Sequence, residues 1–355
     1  MECGSLTREL WETGVRLLYV MEKTDMDMQM IRKNSIRSEE LNVFFSGPAG
    51  ARYFEKSAAI RNAPAYDVER SKSLIPAMPE IRCLVNGFED TGGLTVFGEV
   101  RPDRTALDRL ALEIGKLTTG GHKVSLIMAD AGTLSGAAFC PFQPMCSQST
   151  IKAIYTGAVL EAFPDAIMDN GRYIHDAVVY SENLSYENLR KIYGPDPLRK
   201  WCREADVDPS FASPDYPRDK TAADMLKMWT RLYCFLNEEA RNTDFAAWFA
   251  DSAASAAKQQ LGGRCPVQTK AGWENGLDES RNYDPAAVIP AEYTDGDPLN
   301  DECAINDSGI VYTDRGPYLF VIYTDHPFGI FKDYITPNPL LELTEALFEV
   351  QQSLH

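Results

Sequence analysis

The chain has 355 residues, 44% hydrophobic and 25% charged, which is ample material for a large core in one or two domains. Asp plus Glu number 52 against 35 Lys plus Arg, a net charge of −17 that argues against nucleic acid or an anionic membrane as partner. No apolar run approaches the roughly 20 residues of a membrane span, and the charged opening stretch with Arg8, Glu9, Glu12 and Arg16 lacks the pattern of a signal peptide.

In chain order, residues 1–103 read as an extension. Leu6, Leu10 and Leu17 fit a short amphipathic helix, Met21 to Met30 has no clear period, and Pro64, Pro76, Pro79 and Gly92-Gly93 break the remainder into short pieces. Leu94 to Val100 suits a strand. From residue 104 the pattern sharpens. Leu107, Leu110, Ala111, Ile114 and Leu117 have helical spacing and Gly120-Gly121 stops the helix. Lys123 to Asp130 alternates as a strand, and Gly136 to Phe139 suits a second. Over about 150–261 the pattern is helical. Thr221-x-x-Asp224 marks a helix start, Met225, Trp229, Leu232 and Leu236 form one core stripe, and a further helix is predicted from Asp244 to Gln260. Period two returns at Val267 to Ala271, Ile310 to Thr313 and Tyr318 to Thr324, the last two joined around Asp314-Arg-Gly-Pro317. Leu340, Leu341, Leu343, Leu347 and Val350 make a closing helix. This order predicts an α+β fold over 104–355: an antiparallel sheet built from both ends, flanked by helices, with an all-helical subdomain inserted and the active site in the cleft between them.

Eight cysteines, Cys3, Cys83, Cys140, Cys146, Cys202, Cys234, Cys265 and Cys303, make no Cys-x-x-Cys, and none joins one of the four histidines at zinc spacing. No metal and no other cofactor is expected. Cys140 and Cys146 flank a Pro-containing loop closely enough to bridge in an oxidising compartment, with buried thiols as the alternative.

Chemistry concentrates at Ser149-Thr-Ile-Lys152. Residues three apart share a helix face, so the Ser149 hydroxyl and the Lys152 amine meet at the first turn. There an amine kept neutral by burial or a second cation can take the hydroxyl proton, and the helix start offers N–H groups to an oxyanion. Ser255-Ala-Ala-Lys258 repeats the spacing, but only Ser149 is followed in order by Ser181-Glu182-Asn183 and by Lys270-Ala271-Gly272.

Ser-x-x-Lys, Ser-Asp-Asn and Lys-Thr-Gly in that order mark class A β-lactamases and penicillin-binding proteins, and about residues 104–355 resemble that superfamily. Ala177 to Asn183 looks like its second-motif segment, and Ile305 to Val311 with Tyr318 to Thr324 looks like the strand pair after the third. The resemblance implies the β-lactamase/transpeptidase-like fold, a bacterial serine hydrolase, and an acyl-serine intermediate formed from a small-molecule or peptide substrate with an amide or ester bond. It implies Ser149 as nucleophile, Lys152 as general base, Ser181 as proton carrier to the leaving group, Lys270 as second cation and Asn183 as contact to Lys152 and the substrate amide. The N–H groups of Ser149 and Trp273, beside Gly272, would form the oxyanion hole. A true class A β-lactamase and a non-catalytic binding or sensor domain are the alternatives. The family suggests an extracytoplasmic or secreted place, and no feature fixes an oligomeric state.

Three positions depart from the pattern. Glu182 replaces Asp. Ala271 replaces the Thr whose hydroxyl helps bind a substrate carboxylate, which speaks against penicillins and D-Ala-D-Ala peptides. The Glu-x-x-Leu-Asn loop of class A enzymes is absent between Asn183 and Thr221, where Glu204-Ala-Asp-Val-Asp208 is a faint echo.

Overall fold

Alternation along two adjacent strands sets the architecture. In β2 (Val124–Asp130), Val124, Leu126 and Met128 enter one core while Ile127 and Ala129 enter another. In β7 (Gly316–Thr324), Tyr318, Phe320 and Ile322 side with the first core and Leu319, Val321 and Tyr323 with the second. Successive strand side chains point to opposite faces, so apolar residues on both faces demand cover on both. The computed structural model describes residues 85, 91–213, 220–238, 243–274, 304–326 and 338–355, all in one structural unit. The expectations for Leu6 to Met30 and for the proline-divided stretch lie outside the described residues, as do Cys3, Cys83 and Cys303.

The sheet is antiparallel, in the order β1 (Leu94–Phe97), β3 (Gly136–Phe139), β2, β7, β6 (Ala304–Thr313), β4 (Val267–Thr269), with β5 (Gly272–Glu274) also pairing with β6. Because β1 pairs with β3, the sheet begins at Leu94, inside the stretch read as an extension. The first face is covered by α1 (Arg104–Thr118), through Ala106, Leu110, Ile114 and Leu117, together with α8 (Ala256–Leu261) and α9 (Leu341–Gln352). Gly120 and Gly121, at φ +87° and +91°, end α1 with backbone that side chains disfavour. The β6–β7 turn closes at Asp314-Arg315, with Thr313 paired to Gly316.

The second face carries the helical block: α2 (Ile151–Ala162), α3 (Ala166–Val179), α4 (Asn183–Tyr193), α5 (Asp196–Ala205), α6 (Ala222–Glu238) and α7 (Thr243–Trp248). The start of α6 is a reciprocal cap: Asp224 N donates to Thr221 Oγ1 at 3.0 Å, and the Thr221 hydroxyl donates to Asp224 at 2.8 Å. The expected stripe of Met225, Trp229, Leu232 and Leu236 is buried, and Leu226, Met228 and Tyr233 bury the flanks too, so α6 is a central helix rather than a one-sided one. Among the described residues no helix is long and apolar enough to cross a membrane.

The single helix expected from Asp244 to Gln260 is two short ones. Ala254 takes φ +59°, and Ser255 is extended and caps the new helix α8 by accepting from Lys258 N at 3.1 Å. A capping serine offers the backbone a competitor to continued helix, which the apolar period does not register.

Where α2 crosses its neighbours the fit is closest at Gly157. A Cβ there would stand 2.6 Å from Leu232 Cδ1 and 2.7 Å from Trp201 Cη2. Overpacking of this kind costs about 1–3 kcal/mol. Gly157→Val is therefore expected to lower the thermal midpoint by several degrees, on the order of 2–4 °C per kcal/mol for a domain of this size. A variant that melts with the wild type would show that α5 and α6 yield at no cost.

Candidate active site

The chain arrives at Ser149 through a loop and a short 3-10 turn, Gln148–Thr150, that runs straight into α2. Gln148 sits at φ +47°, left-handed backbone that costs a residue with a side chain of order 1–3 kcal/mol and persists only when its surroundings impose it. Three contacts do so. Thr150 donates to Ser147 O from its amide at 3.2 Å and from its hydroxyl at 2.7 Å. The Asn306 side chain, wholly buried on β6, donates to Cys146 O at 2.7 Å and accepts from Thr324 N at 3.0 Å, tying the loop to two strands at once. Gly272 lies so close beneath the turn that a Cβ on it would stand 2.6 Å from Ser149 N. The third motif needs its glycine because a strand must lie directly against the serine backbone.

Lys152 is wholly buried, and its Nζ donates to Ser181 O and to Asn183 Oδ1, both at 2.5 Å. Those acceptors exist because α3 ends at Val179 and the chain turns sharply at Ser181, whose φ of +62° aims its carbonyl back at the lysine. Helix α4 then begins at Asn183, and Glu182 braces that first turn by accepting from the Ser185 hydroxyl. The exchange of Asp for Glu at 182 thus keeps a carboxylate at the helix start, where it is favourable. Burial pushes the Lys152 amine well below its ordinary pKa, and the Lys270 charge pushes it further; Glu182 and Glu187 oppose them. The Tyr186 ring lies 5.8 Å from the same nitrogen.

Lys270 enters from the sheet side. It is fully buried, donates to Ala271 O at 2.7 Å, and lies 5.9 Å from the Trp273 ring centre. Burial lowers its pKa to about 7 against the opposing pull of Asp307. The structure therefore brings Ser149, Lys152, Ser181, Asn183 and Gly272 together, with Lys270 in the link between β4 and β5 and Trp273 on β5. Ser149 remains 9% exposed, the opening by which a substrate would reach it. An amine that can lose its charge is able to accept a proton from a hydroxyl.

The second Ser-x-x-Lys copy is structural. Besides capping α8, the Ser255 hydroxyl donates to Asp307 at 2.8 Å, and Lys258 pairs with Asp251 at 3.8 Å. Glu204 is held elsewhere: Arg231 Nε donates to it at 3.1 Å, Lys200 lies 3.6 Å away, and Arg231 also bonds Glu161 near the far end of α2. Glu161 stands about two and a half turns beyond Lys152, roughly 14 Å along the helix. Cys140 and Cys146 are not bridged to each other. Asn306 escaped the sequence reading, although three consecutive polar residues, Asn306-Asp307-Ser308, inside an otherwise apolar strand were a visible signal.

Residues 164–334 match the family model described as β-lactamase enzyme family, a span that contains Ser181, Asn183 and Lys270 and begins after Lys152. The β-lactamase from Sphaerobacter thermophilus DSM 20745 is 12% identical, with 71% of this chain and 98% of that one covered at a TM-score of 0.50. β-Lactamases from Xanthomonas campestris pv. campestris (16% identity; 70% and 97% covered; TM-score 0.47) and from Desulfarculus baarsii DSM 2075 (18%; 69% and 96%; 0.47) are also similar. No curated protein matches. The Sphaerobacter comparison supports the fold class alone: α+β and β-lactamase/transpeptidase-like.

Removing Asn306 tests how the serine turn is held. Asn306→Ala leaves Cys146 O and Thr324 N without that partner, at about 1–3 kcal/mol for the buried Thr324 N and less for the partly exposed Cys146 site. Thermal melting is expected to fall, and modification of Ser149 by a fluorophosphonate to slow at every pH. Unchanged melting together with an unchanged rate would show that the turn stands without this side chain.

Proposed function

We propose that this chain, which is β-lactamase-like in its fold and in its family match, is a serine hydrolase that cleaves an amide or ester through a covalent acyl intermediate on Ser149. The observation that carries this reading is the pair of acceptors at Lys152. A neutral amine has two protons to donate and one lone pair. Ser181 O and Asn183 Oδ1 take two donor hydrogens, which leaves the lone pair for a third direction, and burial favours that neutral form. In the proposed reaction Lys152 takes the Ser149 proton as Oγ attacks the carbonyl carbon. The oxyanion rests on the N–H groups of Ser149 and Trp273. Collapse breaks the scissile bond, and the proton passes by way of Ser181 to the leaving amine or alcohol. Water then cleaves the acyl ester and restores the Ser149 proton. Asn183 orients Lys152 and meets the substrate amide, while Lys270 keeps positive charge beside them. With Ala271 in place of a hydroxyl residue, a substrate without a carboxylate next to the scissile bond suits the site best.

A fluorophosphonate probe followed by peptide mass spectrometry tests the nucleophile. The adduct is expected on the peptide containing Ser149, to be lost in Ser149→Ala, and to form about a hundredfold more slowly in Lys152→Ala. An adduct on any other serine overturns the assignment, and no adduct at all would leave a binding domain that has kept the fold.

The fate of an acyl group separates a β-lactamase from a penicillin-binding protein or D,D-peptidase. Among the described acids between Asn183 and Ser213, Glu204 is bound to Arg231, Asp208 accepts from Ser210 N at 2.7 Å, and Glu187 is exposed and lies 3.9 Å from Lys191. None stands in the class A pattern. Lacking a dedicated base for water costs roughly two to four orders of magnitude in that step. A chromogenic cephalosporin is expected to acylate slowly and to stay on the protein for minutes or longer, visible as intact mass. Turnover at tens per second with no trapped adduct would assign the base to a carboxylate other than Glu204, which Arg231 holds away from Lys152.

A further inference from the structure

We propose that Tyr186 is a positioning residue whose ring walls the Lys152 amine off from water. This rests on the reading of Ser149 and Lys152 above. Sequence spacing sets the geometry. On α2, Tyr155 follows Lys152 by three residues. On α4, Tyr186 follows Asn183 by three and precedes Arg190 by four, so each set shares one helix face. The two faces meet rung by rung. Lys152 Nζ donates to Asn183 Oδ1 at 2.5 Å. One turn further along each helix, the Tyr155 and Tyr186 rings meet edge to face, with centres 5.3 Å apart and planes at 85°. The Tyr155 hydroxyl donates to Gly194 O at 2.9 Å and lies 3.1 Å from Leu189 O, which ties the end of α4 to α2.

Burial ranks the two rings. Lys152 has no exposed surface and Tyr155 has 1%, whereas Tyr186 keeps 7%. With its ring centre 5.8 Å from Lys152 Nζ, Tyr186 is the outer wall of the lysine's enclosure and Tyr155 the inner one. Arg190 flanks the outer wall. Its guanidinium carbon lies 5.7 Å from the same ring centre, and its Nη1 donates to Ser213 O at 3.5 Å. Burial pushes the Tyr186 phenol up, with Arg190 opposing, so the wall carries no charge of its own near neutral pH. Charges felt by Lys152 are Lys270 on the sheet side and Glu182 and Glu187 on the helical side. The cations that α5 and α6 bring to α2, Lys200 and Arg231, meet Glu161 near its far end. On α3, Asp176 is engaged by Arg172 and His175.

The ring acts on Lys152 in two opposing ways. An aromatic face attracts a charged amine, but only within about 6 Å, and Lys152 stands at that limit. Keeping water away disfavours the charged amine, and for a wholly buried group this is the larger effect. Truncating Tyr186 would open a space beside Lys152 Nζ, Ser181 O and Asn183 Oδ1, which are the polar partners that a water molecule needs. Water there would solvate the amine as a cation. Lys152 would then keep its proton to higher pH and be a poorer base at a given pH.

The pH profile of Ser149 modification by a fluorophosphonate reads this out. Its acidic limb marks the loss of neutral Lys152 as pH falls. In Tyr186→Ala the limb is expected to move up by about one pH unit, a tenfold loss on the slope, while the plateau at high pH is kept. Tyr186→Phe retains the ring and should leave the limb in place, a rescue that assigns the effect to the wall rather than to the hydroxyl. Tyr186→Leu, with a shorter apolar side chain, should move the limb upward by less than Tyr186→Ala. A merely structural role would lower the rate at every pH and leave the limb where it is. Should Tyr186→Ala fail to fold, Tyr186→Leu decides. Alanine and leucine variants whose limbs coincide with the wild type, or a phenylalanine variant that shifts as far as alanine, overturn the inference and leave the nucleophile assignment standing. A wild-type protein that takes no label on Ser149 overturns both.

Discussion

The structure depends on keeping two amines, Lys152 and Lys270, out of water. Among the described residues neither has a carboxylate bonded to it. Lys152 has a carbonyl and an amide oxygen, and Lys270 has the carbonyl of its own neighbour. Water would solvate both as cations, and only enclosure by helices on one side and strands on the other makes the neutral state competitive. The cost of that enclosure is met by the two apolar cores that clamp the sheet from both faces.

Two arrangements that look like local strain are parts of this enclosure. The left-handed backbones of Gln148 and Ser181 point one carbonyl at Lys152 and bring Ser149 over Gly272. Neither conformation is favourable alone. Asn306 imposes the first by bonding the loop and a neighbouring strand together, and the end of α3 imposes the second. Side chains that never meet a substrate thus decide where the reactive ones sit.

Periodicity made much of this legible. Helix α1, strands β2 and β7, the cap of α6 and the closing α9 follow the spacing of their apolar residues, because each buries a face whose period is its own. The motif order singled out Ser149 over Ser255, and the structure gives a physical difference: one serine lies on the turn over Gly272, the other caps a helix. Three features were not legible. The break before α8 arises from a serine cap. The reach of β6 back to Ala304 was not legible from periodicity, because Asn306, Asp307 and Ser308 look like loop residues, and only the resemblance marked Ile305 to Val311 as strand; each of the three is buried and hydrogen-bonded. The placement of Glu204 depends on Arg231 and Glu161, whose nearness is created by packing rather than by sequence distance.

The sheet's central pair, β2 and β7, joins distant segments of the described chain, while α2, α3 and α4 pack on one another in chain order. Local contacts form early and distant pairings late, since the loop between distant segments must first be closed. Lys152, Ser181 and Asn183 belong to the early-forming helical block, and Gly272 and Lys270 belong to the late-pairing strand β5 and the link that leads into it. A chain that has built only its helices holds the serine and its lysine in sequence but leaves that lysine hydrated and protonated. On the proposed reading of Ser149 as nucleophile, reactivity arrives with the last strand pairing, and a nascent or misassembled chain carries it latent rather than active.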